Sequence, residues 1–166
     1  NPRALSIAAH RPEDRTRWAI LIGIQNYDDP TLGAAGYAAA DAQLLRGALD
    51  KRNAVAPDQA LLLTDASLVQ ITGAVAALLG KVQATDHLVV YFAGHAWRDA
   101  EGKSHLAPKE FNRNQAAATG LSLQGLVDQL EACPAKDKLL ILDACHAAPG
   151  ADPKNEPSAA EMFQSL

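Results

Sequence analysis

Four short apolar runs, separated by stretches of helical periodicity, predict an α/β fold on a mostly parallel sheet. The runs occupy residues 18–24, 61–63, 88–92 and 139–142. Their apolar residues are continuous instead of alternating, the pattern of strands covered by helices on both faces. Strand and helix alternate along the chain, which implies βαβ crossovers. A third observation concerns reactive side chains. His95 follows the third run in Tyr91-Phe92-Ala93-Gly94-His95-Ala96, and Cys145 follows the fourth in Leu142-Asp143-Ala144-Cys145-His146. In open α/β sheets, chemistry gathers beyond the carboxyl ends of the strands.

Residues 1–17 mix Pro2, Pro12 and several charges with little periodicity, and read as an extension or linker. After the first strand, Asp28-Asp29-Pro30-Thr31-Leu32-Gly33 is turn chemistry. Residues 41–49 carry Ala42, Leu45 and Leu49 on one helical face. The short second strand, 61–63, is followed by cap residues at 65–67 and a helix whose stripe is Ile71, Val75, Leu78, Leu79 and Val82. Gly94, after the third strand, predicts a tight turn with open backbone around His95. Residues 121–130 form the next helix, with Ser122 as its cap and Leu123, Leu126, Val127 and Leu130 on one face. Beyond Cys145, residues 149–157 are rich in proline and read as a flexible loop. Residues 158–166 then begin a further helix with Met162, Phe163 and Leu166 apolar.

The chain of 166 residues is 48% hydrophobic and 20% charged, the composition of one globular domain with a sizeable core. Its net charge of −4 and lack of a basic run argue against nucleic acid as a partner. No apolar stretch reaches the length of a membrane span. Two cysteines, Cys133 and Cys145, make no disulfide scaffold, so a reducing, cytoplasmic setting is expected.

Neighbouring strands lie about 4.8 Å apart, so a thiol and an imidazole leaving adjacent strand ends can meet. A cysteine nucleophile requires that geometry of its base. His95 precedes Cys145 by fifty residues, the order and approximate spacing that the general rule for caspases gives. A free cysteine is more often an inert buried hydrophobe, and Cys133, before Pro134, reads that way. His10, His87 and His105 read as surface or packing residues. Asp143, two residues before Cys145, shares its side of the strand and makes an acidic wall suited to a cationic side chain. Recasting His95, Asp143, Cys145 and His146 as zinc ligands fails for want of paired ligand spacing, and no metal is expected. A flavodoxin-like receiver or ligand-binding domain would need a phosphate loop or an acidic cluster after the first strand, and Gly23-Ile24-Gln25-Asn26 supplies neither.

These motifs resemble those of the caspase clan of cysteine peptidases, most closely its metacaspase, orthocaspase and bacterial caspase-like branches. The family's histidine motif, (Y/F)(F/Y)SGHG, is matched by residues 91–96, and its cysteine motif, D(A/S)CHSG, by 143–148. Trp18 to Ile24 with Asn26-Tyr27 resembles the opening strand and its Gly-Ile-Asn-Tyr turn. Ala40-Asp41-Ala42 resembles the Asn-Asp-Ala that opens the first helix, and Leu106-Ala107-Pro108 the Leu-x-Pro after the histidine loop.

The resemblance implies a three-layer caspase-like fold in which residues 18–148 form the large-subunit catalytic domain. Its last strands belong to a C-terminal small-subunit part expected as a partner, with fused or associated regulatory domains. It implies a Cys145–His95 dyad, with His146 supporting, and an oxyanion hole from the backbone amides of Cys145 and Ala96. Most relatives carry glycine at 96 and Ser-Gly at 147–148. It implies an S1 pocket lined by Asp143 and Asp41 for Arg or Lys, although Asp41 also suits a helix N-cap. The activity implied is a cysteine endopeptidase made as a zymogen for regulated proteolysis, defence or cell death. The alternative is a non-catalytic caspase-like regulatory or scaffold module. No cofactor is expected. Some metacaspases require calcium, and Asp99, Glu101 and Glu110 follow His95 without an EF-hand pattern, which leaves calcium open.

Overall fold

The computed structural model describes residues 16–52 and 54–145, with Cys145 described by its backbone alone. The 149–157 loop, the 158–166 helix, His10, His146 and nearly all of the 1–17 extension lie outside the described residues. Strand β1 (Arg17–Gly23) leads through a short 3-10 turn at Pro30–Leu32 to helix α1 (Ala38–Lys51). Then come β2 (Ala60–Thr64), α2 (Leu68–Leu79) and β3 (His87–Arg98). The chain continues through β4 (Ser104–Leu106), the single-turn helix α3 (Ala116–Thr119), β5 (Leu121–Ser122), α4 (Leu123–Ala132) and β6 (Asp137–Cys145).

Strands β2, β1, β3 and β6 pair in that order, all parallel, so their carboxyl ends open on one edge of the sheet. On one face Ala19, Leu21, Tyr91 and Ala93 pack against Ala38 and Ala42 of α1. On the other, Ile20, Ile22, Val90 and Phe92 meet Ile71, Val75 and Leu78 of α2 and Leu123, Leu126 and Leu130 of α4. Residues alternate between faces along a strand, so burial on both faces explains why these segments read as unbroken apolar runs. The three layers are α1, the sheet, and α2 with α4. Ser67 and Gln70 close a capping box on α2, and Ser122 caps α4 through the Gly125 amide. Cys133 is buried in the α4 layer.

The sheet departs from the sequence expectation in one respect that matters for function. Residues 93–98 do not turn into an open loop. They prolong β3, which changes partner and pairs antiparallel with β4 at Ala96↔Leu106, Trp97↔His105 and Arg98↔Ser104, while β4 pairs with β5. The sheet is therefore parallel across four strands and antiparallel in a small extension. Gly94 makes the continuation possible at φ 153°. A Cβ there would stand 3.0 Å from the Tyr27 hydroxyl and 3.1 Å from both the Ile24 carbonyl oxygen and the Phe92 ring. Helix α1 likewise starts earlier than expected, with Tyr37 at the cap. Asp41 is therefore not the N-cap; it sits within the first turn, where its charge still complements the helix dipole.

Among the described residues β6 pairs only with β3, and Leu139 and Ile141 are 54% and 37% exposed on the α1 side. No helix among the described residues is long and apolar enough to cross a membrane.

The tightest junction is between β1 and α1. A Cβ on Gly23 would lie 2.4 Å from the Ala38 carbonyl oxygen and 2.8 Å from the Ala39 Cα, both backbone atoms that cannot swing aside. Gly23→Ala is expected to cost about 1–3 kcal/mol of stability, measured as a lower urea midpoint at unchanged slope.

Candidate active site

The register across β3 and β6 builds the site. His95 and Cys145 are Cα partners, and Ala93 and Asp143 are partners one step earlier on the same face. Tyr91, Ala93 and His95 alternate onto the α1 side of β3. The strands thus bring residues fifty positions apart to neighbouring places at the carboxyl end of the sheet.

His95 is 6% exposed, and among the described residues neither buried ring nitrogen has a hydrogen-bond partner. Buried polar atoms are nearly always paired, so an orphaned imidazole is a group with an unmet demand for a partner. Its orientation comes from Tyr27, which the sequence reading placed only in a turn motif. The Tyr27 ring stacks on the imidazole with centroids 4.8 Å apart at 22°. The Tyr27 hydroxyl accepts the His95 amide at 2.8 Å and donates to the Ile24 carbonyl at 3.1 Å. Its sequence signal was the Asn26-Tyr27 pair straight after the first strand.

Ala96 turns its side chain into the α2/α4 core. The Ala107 amide reaches the His95 carbonyl at 2.9 Å, which makes Ala96↔Leu106 a non-hydrogen-bonded pair. The Ala96 amide therefore faces the β6 side of β3, toward the end of which Cys145 belongs. Asp143 is exposed and accepts from the Tyr91 hydroxyl at 3.3 Å. Gly23, Ala93 and Asp143 form one row across β1, β3 and β6. Helix α1 begins over Gly23 at the other end of that row, with Asp41 in its first turn.

The three carboxylates considered for calcium go separate ways. Asp99 is buried with His105, Oδ2 to Nε2 at 2.8 Å, and its other oxygen accepts the Lys103 amide at 2.7 Å. Glu110 accepts the Leu68 amide at the start of α2 at 2.8 Å, and Glu101 is exposed. Among the described residues no three His, Cys, Asp or Glu side chains are grouped to hold a metal ion. His105 is thus a buried partner of Asp99, and His87 pairs with Asp137 at 3.2 Å across the start of β3 and β6.

Four parallel strands with a small antiparallel extension, covered by α1 on one face and by α2 with α4 on the other, define the class as a three-layer α/β domain. The chain belongs to the caspase-domain family, peptidase C14, a family of cysteine peptidases that matches residues 16–164. No curated protein matches the chain. Its fold is similar to the crystal structure of protein GSU0716 from Geobacter sulfurreducens, with a TM-score of 0.60 and 14% identity. The likeness covers 81% of this chain and 52% of that one, so the chain spans about half the length of that protein.

Burial pushes the Asp99 carboxyl up, but the His105 ring and the Lys103 amide bonded to it outweigh burial and hold it below its ordinary 3.8. A depressed carboxylate adds stability that is present above the ordinary value and is lost as pH falls through the lower folded one. The melting temperature of Asp99→Asn should therefore drop less than that of the wild type between about pH 5 and about pH 2, as followed by circular dichroism.

Proposed function

We propose that this chain is the catalytic part of a cysteine endopeptidase in which Cys145 is the nucleophile and His95 the general base and acid. The reading rests above all on the His95↔Cys145 register combined with an imidazole that has no hydrogen-bond partner among the described residues. In this scheme His95 takes the thiol proton and the sulfur attacks the scissile carbonyl carbon, sending the π electrons onto oxygen. The amides of Ala96 and Cys145 stabilise that oxyanion. Collapse expels the amine, which leaves with the proton from His95, and a thioester remains. Water, deprotonated by His95, then attacks the thioester, and the departing sulfur recovers the proton.

Asp143 and Asp41 are assigned to the S1 pocket. Asp143 closes a row that spans two strand spacings, about 10 Å, room for a guanidinium beside its carboxylate, and Asp41 is assigned from the family motif, so cleavage after Arg or Lys is the proposed specificity. The outer edge of β6, with Leu139 and Ile141 bare, is assigned to the small-subunit part, whose strands would extend the sheet and supply the far wall of the cleft. A cytoplasmic role in regulated proteolysis, opened from a zymogen, completes the proposal. The enclosed imidazole of His95 favours one second reading, a non-catalytic caspase-like regulatory module, because neither ring nitrogen meets solvent.

Labelling of the intact protein with a peptidyl-arginine electrophile separates the two readings. Modification at Cys145 supports the peptidase, and failure to label a folded protein supports the module. His95→Ala should lower peptide cleavage about 10²- to 10⁴-fold, and Cys145→Ala should abolish it, with little change in melting temperature for either.

In a fluorogenic peptide library, Arg or Lys at P1 should dominate. Asp143→Asn should reduce kcat/KM for arginine substrates about 10- to 100-fold, the worth of a charged hydrogen bond of about 1.5–3 kcal/mol. A preference for P1 aspartate would refute the S1 assignment.

A further inference from the structure

We infer that Asp65 is a positioning residue for His95, acting through Asn26 and Tyr27; the inference deepens the dyad reading above and rests on it for its catalytic meaning. Asp65 follows β2 at the same edge of the sheet as His95. It is the non-glycine residue among those described that has a positive φ, at 46°. Aspartate tolerates that region better than most residues, yet the conformation costs energy and persists only where surroundings hold it.

What holds it is a set of bonds to the loop after β1. The Asp65 amide donates to the Gly23 carbonyl at 3.0 Å. Its Oδ1 accepts the Gln25 amide at 2.7 Å and the Asn26 amide at 3.0 Å, and its Oδ2 accepts the Asn26 side-chain nitrogen at 2.8 Å. Tyr27 is the next residue. From there its ring lies flat on the imidazole and its hydroxyl takes the His95 amide.

The same carboxylate sits where three loops meet. The Asp28 amide donates to the Lys109 carbonyl at 2.9 Å, the Lys109 amide donates to the Ala66 carbonyl at 3.0 Å, and Lys109 Nζ lies 3.5 Å from Asp28. The segments after β1, β2 and β4 are therefore tied on either side of Tyr27. Burial raises the Asp65 carboxyl, but the Asn26 and Gln25 donors, with Lys109 nearby, prevail and keep it charged at values below its ordinary range. Asparagine is close in shape but presents an amide to the Asn26 side-chain donor and loses the charge, so Asp65→Asn should loosen the Asn26-Tyr27 corner without emptying the core.

The experiment is histidine-labelled NMR on the whole chain, with His95→Ala assigning the His95 ring signals. In the wild type the stacked Tyr27 ring should shift those signals upfield. Asp65→Asn should remove half or more of that shift, whereas Asp29→Asn, in the same loop but with a carboxylate that among the described residues accepts from Thr31, should leave it unchanged. In the cleavage assay Asp65→Asn should lower kcat about 10- to 100-fold with KM within about twofold, as expected of misorientation and not of lost binding. Should Asp65→Asn fail to fold, Asn26→Ala, which removes only one donor, carries the test with the same expected direction. A folded Asp65→Asn, or Asn26→Ala in its place, with the wild-type His95 shift would overturn the proposal. A wild type that stays inactive with its small-subunit part present would refute the dyad reading alone, since the spectra judge the positioning of His95 without any turnover.

Discussion

The candidate site inherits its geometry from one strand that serves two sheets. Through His87–Ala93, β3 lies between β1 and β6 in parallel register, it pairs with β6 as far as His95, and through Ala96–Arg98 it pairs antiparallel with β4. His95 stands at the change of partners. Backbone groups in such a place lack the regular ladder that would satisfy them, and the gap is filled from outside the sheet. The His95 amide goes to the Tyr27 hydroxyl and the His95 carbonyl to the Ala107 amide. The same substitution that completes the backbone bonding also lays an aromatic ring on the imidazole. Structural need and orientation of the reactive group are met by one side chain.

The two faces of the sheet are built to different rules. Toward α2 and α4 the core uses branched and aromatic residues, Ile20, Ile22, Val90 and Phe92 against Ile71, Leu123 and Leu126. Toward α1 it uses alanines, and Gly23 admits the helix almost onto the strand. Close approach on that side brings the first turn of α1, which carries Asp41, down onto the end of β1. A larger residue at Ala38 or Gly23 would lift the helix away from the row that ends in Asp143. Packing density on the α1 face is thus also a measure of how wide the proposed pocket is.

Much of this was legible in the sequence because its physics is local or repetitive. The four parallel strands were visible as unbroken apolar runs, the caps of α2 and α4 as Ser67 and Ser122, and the neighbouring of His95 and Cys145 as two motifs at strand ends. What escaped depends on contacts distant in the chain. His95-Ala96-Trp97-Arg98 carries no strand signal of its own, and β4 and β5 are three and two residues long; their pairing exists only because β3 is already in place. Gly94 was read as a turn, its commoner use, when its missing side chain makes room for the Tyr27 hydroxyl. Asp65 looked like a cap for the next helix, yet Ser67 does that work and Asp65 bonds back across about forty residues to the β1 loop. Tyr37 offers no capping side chain, so nothing announced that α1 begins before Asp41.

The order of the strands also governs when the protein could first become reactive. Contacts between residues remote in sequence form late, because the loop between them must close before any bond repays the lost entropy. The β3–β6 pairing joins residues fifty apart, and β6 is the last described strand to leave the ribosome. Until it docks, His95 has no Cys145 opposite, so under the proposed reading a nascent or partly unfolded chain has no dyad to act on its neighbours. On the proposed reading, the topology withholds chemistry until β6 has joined β3.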